Sequence, residues 1–199
     1  MLNVSDSLNF LKIKGLPVVK TVKISSLNGL RTACKKLGYP LVLKLDSPEH
    51  KTEKGWVVTD LNSLNEAEKA FKRLVKKGEI VLQPQVDGIE LSLGIKKDPV
   101  FKQVVMFGLG GVFIELFKDV VFKVCPINKN EAKKMIKELK AIDLLKGYRG
   151  GKVVNLDLLA NIITRLSRIA VKEDIKELDV NPLIAVKDNF KIVDARLRI

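Results

Sequence analysis

The sequence predicts an α+β protein of two lobes, and three observations carry that prediction. Up to residue 82, helical patterns with cap residues alternate with short apolar runs. From 83 onward the apolar runs crowd together between Gly, Pro and Asp signals, the mark of a mostly antiparallel sheet. The chain then closes on a hairpin from Glu177 to Ile199. The expected lobes are therefore 1–82 and 83–199.

The elements follow in order. Ser5 or Asp6 caps a short helix that stops at Gly15, Val18 to Val22 reads as a strand, and Ser26 caps a helix through Lys36 that Gly38 terminates. Pro40 to Leu45 is an apolar strand ending on Lys44 and Leu45. A polar loop leads to the strand Trp56 to Leu61, and a helix from Asn62 to Lys77 sets Leu64, Ala67, Phe71 and Leu74 on one stripe. This first lobe reads as βαβ-like. In the second lobe Ile80 to Val86, Ile89 to Lys96, Lys102 to Phe107, Val112 to Phe117 and Val120 to Val124 are short strands. Helices at about Asn130 to Lys140 and Leu156 to Lys172 precede the hairpin.

Composition narrows the class. At 199 residues and 46% hydrophobic the chain can bury a substantial core. The longest uncharged apolar run, Val104 to Ile114, contains three glycines and is far shorter than the roughly 20 residues that span a bilayer, so no membrane segment is expected. The start, Met1 to Asp6, has no basic and apolar leader pattern, and Cys34 and Cys125 lack the spacing of a metal or disulfide framework. A reducing cytoplasm is the expected setting. The net charge of +13 comes mostly from lysines interleaved with Glu on helical faces, without an aromatic platform for bases. That pattern argues against a nucleic-acid partner and for a mixed-charge surface that attracts polyphosphates or an acidic partner.

The hairpin holds the first chemical signal. Glu177, Asp179 and Asn181 alternate on one face of a strand, and a turn at Asp188-Asn189 sets Asp194 opposite Leu183, diagonal to Asn181. Converging oxygen donors of this kind suit Mg²⁺, which takes one or two carboxylates and completes its shell with water and substrate phosphates. A solvated acidic face is the alternative.

Elsewhere, Lys44 at the end of an apolar strand sets a point charge where phosphate can be held, or else snorkels to the surface. His50, the one histidine, sits in a polar loop that lacks the Walker spacing, and an imidazole can carry a phosphoryl group covalently. Gln83-Pro84-Gln85-Val86-Asp87-Gly88 interrupts two strands as a hinge would, and its freed backbone groups can read a base edge. Glu90 follows, placed to accept from ribose hydroxyls or to remain a rim carboxylate. Phe107-Gly108-Leu109-Gly110-Gly111 lets backbones approach closely.

Taken together these segments resemble the ATP-grasp fold, and more closely the β subunit of ADP-forming acyl-CoA synthetases of the acetate–CoA ligase type. The resemblance rests on Phe107 to Asp119, on Leu145-Lys-Gly-Tyr-Arg-Gly150, and on Glu177 to Leu183 followed by Val193-Asp-Ala-Arg196. It implies an α+β ATP-grasp unit with ATP between its lobes. It implies Lys44 on the phosphates, Gly55 in the loop over them, Gln83, Gln85 and Val86 at the adenine side, and Glu90 at the nucleotide. Asn181 and Asp194 match the family's Mg²⁺ ligands with Asp179 beside them, and His50 matches its phosphoryl-relay histidine. Where the family has a glycine after Gly55, this sequence has Trp56. The implied reaction converts acyl-CoA, ADP and phosphate to acid, CoA and ATP, with a separate α subunit in a hetero-oligomer such as α2β2. A noncatalytic nucleotide-sensing module is the other reading, with a basic nucleic-acid binder behind it.

Overall fold

The structure, a computed structural model, describes residues 1–48, 55–111, 119–151 and 153–199. The expected strand Val112–Phe117 lies outside the described residues. The chain divides into two compact units: an N-terminal unit of Leu2–Asp6 and Val19–Gln85, and a C-terminal unit of Met1, Ser7–Val18 and Val86–Ile199. The main division thus falls between Gln85 and Val86, where the sequence reading has 82 and 83. The segment Ser7–Val18 groups with the C-terminal unit.

Helix α1 (Val4–Ile13) starts one or two residues before the expected cap, Ser5 or Asp6. Asn3 Oδ1 accepts from the Asp6 backbone N–H at 3.0 Å, so Asn3 satisfies one of the donors that open the helix. Ser5 is thereby released for another task, described below.

The N-terminal unit contains β1 (Val22–Ile24), α2 (Leu27–Leu37), β2 (Leu41–Leu45), β3 (Val57–Leu61), α3 (Leu64–Leu74) and β4 (Ile80–Pro84). Its sheet order is β1-β4-β2-β3, and every neighbouring pair is antiparallel. The βαβ expectation is corrected here in an instructive way. β1 and β2, joined by α2, do run parallel, but β4 lies between them; β3 and β4, joined by α3, run parallel with β2 between them. Each crossover is therefore split by an inserted antiparallel strand.

The local signals explain the helices. Ser26 Oγ accepts from Gly29 N at 3.1 Å and Gly38, at φ +77°, ends α2; Ser63 caps α3 by accepting from Glu66 N at 3.3 Å. Their apolar stripes, Leu30, Ala33 and Cys34 on α2 and Ala67, Phe71 and Leu74 on α3, pack with Leu41, Leu43, Leu45, Ile80 and Leu82 of the sheet. Each such leucine contributes roughly 1.5–3 kcal/mol by leaving water.

The C-terminal unit contains β5 (Ile89–Asp98), β6 (Lys102–Leu109), β7 (Val120–Val124), α4 (Lys129–Lys137), α5 (Ile142–Leu145), a 3-10 turn at Tyr148–Gly150, α6 (Leu156–Lys172), β8 (Glu177–Val186), β9 (Asn189–Ile192) and β10 (Ala195–Arg198). The antiparallel order is β10-β8-β5-β6-β7, with β9 also paired to β8. Asn128 and Glu131 close a reciprocal cap on α4, and Asn155 Oδ1 accepts from Leu158 N to start α6. α6 buries Leu159, Ile162, Ile163, Leu166 and Ile169 and packs on β5, β6 and α4. Leu93, Val105 and Phe107 are buried on β5 and β6, and Val180, paired with Leu93, shares their face, so the alternate residues of the same strands form the other face. Among the described residues no helix is long and apolar enough to cross a membrane.

Candidate nucleotide and metal site

In the C-terminal unit the hairpin turn is one residue earlier than the sequence suggests. Val186 pairs with Asn189, so the central residues are Lys187, at φ +48°, and Asp188. Leu183 then lies opposite Ile192 rather than Asp194. Beyond the break at Val193-Asp194 the register is unchanged, since Val180 pairs with Ala195 and Asp179 with Arg196. Val193 N donates to Pro182 O at 3.3 Å across the break. Continuing that register, Asp194 falls at the position opposite Asn181. The expected diagonal pair is a direct one.

A bulge marks the same spot from the other side. β8 pairs with β5 at Leu91–Leu183 and again at Leu93–Val180, leaving Asn181 and Pro182 against the single residue Ser92. The extra residue lets Val180 and Leu183 both point into the core while Asn181 stays exposed. Bulges of this kind re-aim a side chain without breaking the sheet. An accessible amide oxygen thus stands beside a carboxylate on the face away from α6.

Asp179, the third candidate, lies opposite Arg196, whose guanidinium is 4.0 Å from its carboxylate. Among the described residues no group of three His, Cys, Asp or Glu side chains is arranged to hold a metal on its own. An amide oxygen beside a carboxylate fits Mg²⁺, which keeps waters and substrate oxygens in its shell. Asn181 and Asp194 would hold the ion, and its charge would be set against phosphate.

Glu90, exposed at the start of β5, is cradled by the glycine turn that the sequence reading singled out only for close approach. Gly110 N donates to Glu90 O at 2.8 Å. A Cβ on Gly111, which sits at φ +59°, would come within 2.5 Å of Glu90 Oε2. The glycines therefore hold the space into which the Glu90 carboxylate fits. Val86, half-buried, opens this unit at the main division.

In the N-terminal unit Lys44 is 4% exposed and Gln83 1% exposed. Pairing of Val42 with Gln83 and of Lys44 with Val81 puts both on one face of the sheet, away from the leucines that meet α2 and α3. Gln83 Nε2 donates to Thr21 Oγ1 at 2.9 Å. A buried lysine and an amide thus share a sheet face that would otherwise be apolar. Lys44 does not snorkel.

Gln85 is more committed than expected. Its Oε1 accepts from Asp60 N at 2.7 Å, its Nε2 donates to Asp60 Oδ1 at 2.8 Å, and its own backbone N–H donates to Pro40 O. Asp60 sits at φ +57°, and the Gln85 amide, with Thr59, holds its carboxyl below the usual range. Gln85 therefore locks β3 to the segment where the two units divide. Gly55, at φ +62°, has open space around its α-carbon, and Trp56 packs on the core of this unit.

His50 lies outside the described residues; Asp46, four residues before it in sequence, is described and anchored. Asp46 accepts from Ser5 N at 2.8 Å and Ser5 Oγ at 2.6 Å, with Lys23 Nζ at 3.6 Å. Its sequence neighbourhood gave no sign of this anchor, because its partners come from far along the chain.

A family model described as an ATP-grasp domain matches residues 1–199. The β subunit of ADP-forming acetate–CoA ligase I of Pyrococcus furiosus is 36% identical over 206 residues, covering 96% of this chain and 89% of that subunit. The ADP-forming acetate–CoA ligase I of Archaeoglobus fulgidus is 34% identical over 206 residues, covering 92% of this chain but 30% of that protein. Among solved structures, the dinucleotide-forming acetyl-coenzyme A synthetase 1 of Ca. Korarchaeum cryptofilum, in complex with coenzyme A and Ca-AMPCP, superposes with a TM-score of 0.93. Its identity is 37%, with 100% of this chain and 93% of that chain covered. The same enzyme has been solved with coenzyme A and Mg-AMPPCP, its phosphohistidine segment pointing towards the nucleotide binding site. With a two-lobed α+β pattern, an antiparallel sheet carrying an oxygen pair, and a match over its whole length, this chain belongs to the ATP-grasp domain family, among the β subunits of ADP-forming acetate–CoA ligases.

Proposed function

We propose that this chain is the nucleotide-binding β subunit of an ADP-forming acyl-CoA ligase. In this reading it passes a phosphoryl group between ADP or ATP and a phosphohistidine relay, and so couples acyl-CoA cleavage to ATP formation. The observation that carries the reading is Asp194 facing Asn181 across the β8 bulge, an accessible oxygen pair of the kind that Mg-nucleotide needs.

The roles assigned to residues are ours. Asn181 and Asp194 hold Mg²⁺, and Asp179, tied to Arg196, contributes through water. The ion neutralises phosphate charge when bound. Lys44 contacts phosphate oxygens as a buried cation; a lysine kept from water gives more electrostatic stabilisation than an exposed one. Gly55 allows the loop that follows β2 to approach the phosphates. Gln83 and Val86 flank the adenine, while Gln85 acts chiefly by fixing the backbone there. Glu90 accepts from the ribose hydroxyls. His50 takes the phosphoryl group on an imidazole nitrogen and hands it on.

The partner we assign is an α subunit that carries CoA binding and acyl transfer, in a hetero-oligomer such as α2β2, active only when both are present. The support is that related ligases extend far beyond the part this chain matches. We assign it to the cytoplasm, with no nucleic-acid or membrane partner. Reconstitution tests the whole reading: chain plus α subunit, acetate, CoA and Mg-ATP should form acetyl-CoA and ADP. Asp194→Ala and His50→Ala should each abolish turnover, with Mg-ADP affinity kept only in His50→Ala. Full turnover in either variant overturns the assignment.

A further inference from the structure

The C-terminal unit carries a second feature that the nucleotide reading does not use. At the end of the sheet where β5 turns into β6 and β8 begins, a cavity of about 690 Å³ is lined by Lys96, Lys97, Lys102, Lys176 and Arg198. It lies at the far end of β8 from the oxygen pair, because Glu177, beside Lys96, precedes Asn181 by four residues, about 13 Å along a strand.

Two carboxylates also line it, and both are already engaged. Asp98 Oδ1 accepts from Val100 N at 2.8 Å and Phe101 N at 2.9 Å, closing the β5–β6 turn. Asp174 takes both its oxygens to Lys97 Nζ at 2.7 Å and accepts from Gln103 Nε2 at 2.8 Å, Gln103 being buried. Lys96 pairs with Glu177 at 3.5 Å. Lys102, Lys176 and Arg198 remain exposed and make no ion pair within 4.0 Å among the described residues, although the Lys176 charge acts on Asp174 from farther away. Five cations thus surround two carboxylates in a concave site of ligand size, and the three cations left over can only donate.

We propose that this cavity is a second anion site, one that takes a small phosphate-bearing molecule. Ammonium and guanidinium groups converging on a cavity suit the several oxygens of a phosphate or polyphosphate, with Arg198 able to bind two oxygens at once. The cavity volume accommodates a ligand larger than a single phosphate. The site depends on neither Asn181 nor Asp194, so it stands or falls separately from the nucleotide reading.

The test is calorimetry with inorganic tripolyphosphate and the full chain, with no divalent cation present. One equivalent should bind. Lys176→Gln/Arg198→Gln should weaken it at least about tenfold, Lys102→Gln alone should weaken it measurably, and Asn181→Ala/Asp194→Ala should leave it unchanged. Lys134→Gln/Lys137→Gln, which removes equal charge from exposed positions on α4, should also leave it unchanged. All these positions except Asp194 are exposed, and far-UV circular dichroism checks that each variant is folded. Equal losses in the two lysine-based double variants would mean diffuse attraction to a +13 chain and would overturn the proposal, as would unchanged binding in Lys176→Gln/Arg198→Gln.

Discussion

At the scale of single residues, the site is held by groups whose partners lie far away in sequence. Asp46 is the clearest case: its buried carboxylate accepts two bonds from Ser5, and its removal would strand the Ser5 backbone N–H and leave the Ser5 hydroxyl only its 3.3 Å bond to Asn3 Oδ1. Asp46→Ala should cost about 1–3 kcal/mol of unfolding free energy, measured by urea denaturation. Gly111 is the second case. An added methyl there meets Glu90 Oε2 and a backbone at φ +59° that disfavours a side chain. Gly111→Ala should therefore displace Glu90 and weaken Mg-ADP binding several-fold with the fold intact, a split that calorimetry and circular dichroism together resolve. Asp60 gives a pH signature. Its carboxyl is held below the ordinary value of 3.8 by the Gln85 amide and then Thr59, so the hold is present above that value and is lost as pH falls through the lower folded value. The Gln85 side-chain amide resonances should shift below about pH 4 and not between 5 and 8. Cys125 behaves in the opposite sense. Burial pushes its thiol up to about 11, leaving roughly one part in a thousand as thiolate at pH 8, so alkylation there should be slow until the chain unfolds.

Elements show which parts of the fold were legible in the sequence. Cap chemistry is local, and so Ser26, Gly38 and the α3 stripe are legible in the sequence, whereas α1 begins earlier than its residues suggest because Ser5, a cap residue by type, serves Asp46 instead. The βαβ pattern was present, but the strand inserted into each crossover leaves no mark within a window of a few residues. The final hairpin was recognised with its turn displaced by one residue, because Asp and Asn are the usual positive-φ residues and here Lys187 takes that conformation. That displacement moved Asp194 from a diagonal to a facing position. The bulge at Asn181-Pro182 was invisible for the same reason that register generally is: it depends on the partner strand. One glycine tests strand packing directly. A Cβ on Gly88 would lie 2.1 Å from the Ala185 carbonyl oxygen, a rigid backbone atom, so Gly88→Ala must push β5 from β8. A loss of about 2 kcal/mol or more in chemical denaturation is expected.

At the scale of the whole molecule, each unit supplies its own candidate residues on its own sheet. The C-terminal unit presents Asn181, Asp194 and Glu90; the N-terminal unit presents Lys44 and Gln83 on the sheet face that its helices leave uncovered. The high positive charge belongs to the lysine-rich surface and to the basic cavity. It does not require nucleic acid. The measurement that bears most directly on the account is calorimetric titration of Mg-ADP into the intact chain and into Asn181→Ala, Asp194→Ala and the double variant. Binding at one equivalent should occur in the parent. Each single substitution should weaken it at least about tenfold, the loss that even an outer-shell partner of a metal carries. The double variant should be less than additive, since both oxygens serve one ion. Equal affinity in all four proteins, or no binding of Mg-ADP by the parent, would contradict the account.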